Sequence, residues 1–156
     1  MDAEDLMRRA IQRTREGIAL GATPFGCAIV LGDEVVALEH NRVWLTTDIT
    51  AHAEIVALRA ACASRKQIHF PGAIVATTTE PCPMCMAALH WARVDTVYYG
   101  ATIADATAAG FNELNIAATD MVRLGGSSVK LSGGILADEC AALFDEWKTS
   151  GKSRAY

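Results

Sequence analysis

Apolar side chains recur three and four positions apart over residues 3–20, at Leu6, Ala10, Ile11, Ile18 and Leu20, and the pattern stops at Gly21. That spacing predicts a helix with one apolar stripe. Phe25 to Leu31 is then a short apolar run, Gly32-Asp33 a turn signal, and Glu34 to Leu38 a second run, so a β-hairpin is expected. Residues 42–50 carry no periodicity and are expected as a loop, followed by a second helix over Ala51 to Ser64. The β-branched stretch from Gly72 to Thr79 reads as a buried strand. A helix from Pro83 to Arg93 and a strand from Thr96 to Gly100 come next. An interrupted helix from Ala104 to Thr119, a short strand near Val129 to Leu131 and a last helix from Ala137 to Lys148 complete the chain. An opening hairpin with later βα crossovers predicts an α/β fold, a three-layer α-β-α sandwich around a mixed five-stranded sheet.

The 156 residues suit one domain, 1–156, with a core of its own. Hydrophobic residues make up 51% and charged residues 21%, as in a compact protein, and no apolar run is long enough for a membrane span. The acidic start, Met1 to Asp5, lacks the layout of a signal peptide, and five Cys do not pair into a disulfide framework. Both point to a reducing cytoplasm. A net charge of −4, with basic residues grouped only at Arg8-Arg9 and Lys152 to Arg154, argues against a nucleic-acid surface. A small neutral substrate is the better expectation.

Chemistry concentrates in two short segments, Thr50-Ala-His-Ala-Glu54 and Glu80-Pro-Cys-Pro-Met-Cys85. Each is expected where the chain enters a helix, and a helix N-terminus favours the thiolate forms that bind metal. His52, Cys82 and Cys85 make a Cys2His set with a fourth position open to water, the pattern of catalytic rather than structural zinc. Neither Cys62 nor His69 has the spacing to close that position. Zinc lets the water ionise near neutral pH, and Glu54 is the group to move its proton. Taken alone, His-Ala-Glu reads as a solvated helix turn, and Cys-x-x-Cys as redox-active, structural or merely buried. Together, an H-x-E followed by P-C-x-x-C is the signature of zinc deaminases acting on nucleobases.

At these residues the chain resembles the cytidine and deoxycytidylate deaminase superfamily, and within it the bacterial guanine deaminases. Pro24-Phe25-Gly26, Asn41, Trp91-Ala-Arg93, Ala109-Gly-Phe111 and Tyr156 carry the narrower likeness. The resemblance implies one zinc per subunit on His52, Cys82 and Cys85, with Glu54 as proton shuttle and Glu113 assisting departure of the amine. It implies that Asn41 bonds a purine edge, that Phe25 packs on the ring, and that Ala53 and Trp91 contribute to substrate binding. It further implies a homodimer in which the tail, about residues 149–156, crosses to the partner and Tyr156 closes the partner's pocket.

The expected function is zinc-dependent conversion of guanine to xanthine and ammonia. Other amino-heterocycles (guanosine, cytosine, an aminotriazine) and then the adenosine of a tRNA are the alternatives. The non-enzyme alternative is a structural zinc-binding interaction module, which would have no use for Glu54.

Overall fold

A computed structural model describes all 156 residues. The chain runs α1 (Ala3–Ala19), β1 (Gly26–Leu31), β2 (Glu34–His40), α2 (Val43–Thr46), α3 (Ala53–Arg65), β3 (Ile74–Thr79), α4 (Pro83–Trp91), β4 (Thr96–Ala101), α5 (Ile103–Ala108), α6 (Ala118–Gly125), β5 (Lys130–Ser132) and α7 (Ala137–Lys148). Asp2 caps α1 by accepting from the Asp5 amide at 2.8 Å, and Gly21, at φ 90, turns the chain out of it.

The sheet order is β2-β1-β3-β4-β5. β1 is antiparallel to both β2 and β3, whereas β3, β4 and β5 run parallel, so the sheet is mixed as expected. Alternate side chains serve opposite faces. Cys27, Ile29, Val75 and Val97 pack under α3, α4 and α6 with Ala57, Met86 and Leu89. Ala28, Val30 and Ala76 pack under α1 and α7 with Leu6, Ile11, Leu143, Phe144 and Trp147. Three layers result. Gly26 is where β1 presses on α1, because a Cβ there would overlap the Thr14 hydroxyl and the Ala10 carbonyl. No helix is long and apolar enough to cross a membrane.

Two expectations are corrected. Within the segment expected as loop, Val43–Thr46 forms a single helical turn, α2. The expected helix over 104–119 is two helices, α5 and α6, the second running on to Gly125, with the irregular stretch 109–117 between them. Gly110, at φ 104, makes the break.

Candidate metal and catalytic site

The site forms where β3 hands over to α4, beside the start of α3. His52 is the N-cap of α3 and Cys82 the N-cap of α4, with nearly equal backbone angles (φ −62, ψ 154 and φ −64, ψ 165). An N-cap side chain usually accepts from its own first turn. Neither does here, and both are directed instead to a common point with Cys85, in the first turn of α4.

The Nδ1 atom of His52 lies 3.6 Å from the sulfur of Cys82 and 3.6 Å from that of Cys85. The three donor atoms all lie within 4.8 Å of one another. Zinc–nitrogen and zinc–sulfur bonds of about 2.0 and 2.3 Å at tetrahedral angles require N···S separations of about 3.5 Å. The donor set therefore fits zinc, and no fourth His, Cys or carboxylate completes the cluster.

The electrostatics also call for a cation. A hydrogen bond from the Cys85 thiol, with another from His52, lowers Cys82 to about 4. Cys85, whose proton is shared toward Cys82 and which is buried, moves the other way. Burial opposes ionisation of His52, but its bond to Cys82 and the charges of Glu54, Cys82 and Glu113 outweigh this and raise it. Glu54 is 6% exposed, and burial together with the Cys82 charge raises its carboxyl. Burial and the same thiolate raise Glu113 to about 7. A divalent ion among the donors relieves this excess of negative charge.

Two neighbouring spaces adjoin the donors. An outer cleft of about 310 Å³ is lined by Ile49, Met84, Phe111, Glu113, Leu114 and Tyr156, and an inner cell of about 20 Å³ by Phe25, Glu54, Thr79, Glu80, Glu113 and Tyr156. His52 and Cys82 border both. The inner cell has room for about one water. The Thr79 hydroxyl, buried on its wall, has no protein partner.

Most of the residues singled out in the sequence meet here. Phe25 stands edge-on to Phe111 at 4.8 Å and lines the inner cell. Ala53 is fully buried between His52 and Glu54 in the first turn of α3. Asn41, also fully buried, accepts from the Val43 amide at 2.9 Å through Oδ1 and donates through Nδ2 to the Tyr156 hydroxyl at 2.7 Å. The Tyr156 ring lies 5.5 Å from that of His52 and edge-on to Phe111 at 5.2 Å. These contacts seat the tail in the pocket of its own chain. Further bonds to it come from Asn112 N to the Tyr156 carbonyl (3.0 Å) and from Trp44 Nε1 to the Arg154 carbonyl (2.9 Å).

Trp91 is the correction. It is 77% exposed at the end of α4 and lines a separate groove with Met86, Met121 and Val122. On a helix that buries Cys85, Met86 and Leu89, position 91 falls on the outward face. Two contributors escaped the sequence reading. The Thr77 hydroxyl lies 3.2 Å from Glu54 Oε1, and Glu80 touches backbone amides far along the chain. The β-strand alternation signals that Thr77 is inward, but nothing local names its partner.

Comparison with known proteins agrees with this geometry. The family model for the cytidine and deoxycytidylate deaminase zinc-binding region matches residues 1–101. The guanine deaminase of Bacillus subtilis is 40% identical over 114 residues, covering 72% of this chain and 73% of that one. A tRNA-specific adenosine deaminase of Agrobacterium fabrum is 41% identical over 95 residues, 61% of this chain and 62% of that protein. The solved guanine deaminase of Nitrosomonas europaea superposes with a TM-score of 0.85 at 28% identity, covering 94% of this chain and 84% of that one. With its metal motif, mixed sheet and paired helix starts all in place, the chain belongs to the cytidine and deoxycytidylate deaminase family and is a zinc aminohydrolase.

Proposed function

We propose that the substrate is a free aminated nucleobase, guanine first, and that the reaction yields xanthine and ammonia. The observation that carries this reading is the amide of Asn41. The Val43 amide occupies its oxygen and its NH2 donates to the Tyr156 hydroxyl on the pocket wall, so a ring carbonyl or ring nitrogen that displaced that hydroxyl would meet a donor. Phe25, Phe111 and Tyr156 supply flat apolar walls, and a cleft of about 310 Å³ suits one ring system. The net charge of −4 and the 40% identity to a guanine deaminase support a base over a polynucleotide.

His52, Cys82 and Cys85 would hold the zinc, which would supply Lewis-acid activation of a water. Glu54 would accept a proton from the attacking water and pass it to the ring nitrogen beside the amine-bearing carbon. A second transfer through Glu54, with Glu113 on the wall of the same inner cell, lets the amine leave as ammonia. Burial suits Glu54 to this work because a carboxyl raised toward neutrality both takes and gives a proton. Tyr156 holds the Asn41 amide and shuts the pocket against solvent.

A homodimer is part of the proposal, and the exposed Trp91 beside the apolar groove between α4 and α6 is a face it would use. A reducing cytoplasm suits the five free cysteines, since a Cys82–Cys85 disulfide would remove two ligands. Ammonia release from the zinc-loaded protein, measured with guanine, guanosine, adenine, cytosine, cytidine, an aminotriazine and an adenosine-containing tRNA anticodon stem, tests the assignment. Guanine should lead by kcat/KM. A tRNA or cytosine preference would overturn it.

A further inference from the structure

Glu80 follows β3 directly and lies two residues before the ligand Cys82. Its backbone amide is fixed to the Ala101 carbonyl at 2.8 Å. Its carboxylate reaches two helix starts at once. Oε2 accepts from the amide of Ile103, the first residue of α5, at 3.1 Å. Oε1 accepts from the amide of Ala118, the first residue of α6, at 2.9 Å. These amides have no partner within their own helices. Thr102 and Asp105 form a capping box at α5 that leaves the Ile103 amide unused, and the N-cap of α6 is Ala117, which has no side-chain acceptor. One carboxylate supplies both ends from outside.

Those two ends bound the part of the chain that carries Glu113. Between Ala108 and Ala118 there is no helix or strand. Phe111 anchors the near side by packing on Phe25 at 4.8 Å and on Trp147 at 5.1 Å. Beyond Glu113, Leu114, Asn115 and Ile116 are exposed, and the next long-range bond is that of Ala118 to Glu80. Glu113 is thus held between Phe111 and the Asn112 bond to the Tyr156 carbonyl on one side and the Glu80 brace on the other. Glu80 and Glu113 also share the wall of the inner cell with Glu54.

We infer that Glu80 is a positioning residue for the reaction, tying the segment that carries Glu113 to the same turn that carries the metal ligand Cys82. The inference rests on the deaminase reading above. It assigns Glu80 no contact with substrate. Its effect is exerted through Glu113, whose displacement by about 1 Å is enough to cost on the order of 100-fold in rate.

The test is a kinetic cycle of wild type, Glu80→Gln, Glu113→Gln and the double variant, with zinc per chain measured for each. Gln keeps one acceptor oxygen and sets its NH2 against the second amide, so one bond is lost. Glu80→Gln should lower kcat for ammonia release about 10- to 100-fold, leave KM within about threefold, and retain zinc. In the Glu113→Gln background it should change kcat less than about threefold, because the residue it positions is already disabled. A merely structural role would lower kcat by the same factor in both backgrounds. Equal factors, an unchanged kcat in Glu80→Gln, or a loss accounted for by missing zinc would each overturn the inference.

Should Glu80→Gln fail to fold, Ala118→Pro removes the donor and leaves Glu80 intact. Proline is tolerated at a first helical position, and Ala117, at φ −66 and ψ 144, already has the backbone that a following proline requires. It should show the same kcat loss and the same lack of additivity; a wild-type kcat overturns the inference. Wild-type protein that releases no ammonia from any amine overturns the deaminase reading, and Glu80's role with it. An active wild type with an unaffected Glu80→Gln overturns the role of Glu80 alone.

Discussion

Tyr156→Phe deletes one oxygen and tests how the pocket is closed. That oxygen accepts from Nδ2 of Asn41 at 2.7 Å, and Asn41 is completely buried. Other contacts keep the tail in place, namely Asn112 to the Tyr156 carbonyl, Trp44 to the Arg154 carbonyl and the Arg154 guanidinium 3.8 Å over the Trp44 ring. The variant therefore strands a buried donor instead of freeing the tail, at a cost of about 1–3 kcal/mol. Asn41→Ala removes the same bond from the other side and also deprives the Val43 amide of its acceptor, so alone it should cost more. Once Asn41 is gone, Tyr156→Phe should cost less than about 0.5 kcal/mol. Urea unfolding of the four proteins at one zinc loading gives the coupling. Equal costs of Tyr156→Phe in both backgrounds would refute the idea that the hydroxyl seals Asn41.

Trp91→Ser should alter kcat and KM for ammonia release less than about twofold, since the residue lies on the outer face of α4 away from the donors; a tenfold KM change would return it to the pocket. In the zinc-free protein, Glu113→Gln should raise stability over wild type at pH 8 but not at pH 5. Burial raises the Glu113 carboxyl from its ordinary 4.5 to about 7, so wild type loses stability as pH climbs between those values. After allowance for its partial exposure the gain is about 1 kcal/mol, and a gain equal at both pH values would contradict the assignment. Mixing an inactive Glu54→Gln chain with a chain lacking residues 150–156 should restore no activity if each tail serves its own pocket, as the Tyr156 contacts have it. Recovery would identify exchange between subunits.

Much of the fold was legible because its signals are local. Gly21 stops α1, Gly32 turns the hairpin, and the β-branched run from Gly72 to Thr79 holds the buried strand β3. The zinc donors were legible for the same reason, as both ligand segments sit at helix starts. What escaped depends on distant partners. α6 begins at Ala118 after Ala117, an N-cap with no capping side chain, because Glu80 caps it from 38 positions away. α2 is one turn, too short to show a period. Trp91 carries no mark of facing outward except its angle from Met86 and Leu89 on α4. Tyr156, expected at a partner's pocket, reaches the pocket of its own chain through Asn41, Phe111, Asn112 and His52, none of them near it in sequence.

The central claim is that Glu54 moves protons at a zinc site that His52, Cys82 and Cys85 hold without it. Glu54→Gln preserves shape and the contact with Thr77 but cannot accept a proton. Ammonia release from guanine and metal content by mass spectrometry should therefore be measured on the same preparation. The account predicts one zinc per chain with kcat reduced by about a thousandfold or more. Turnover within tenfold of wild type, with zinc retained, would contradict it.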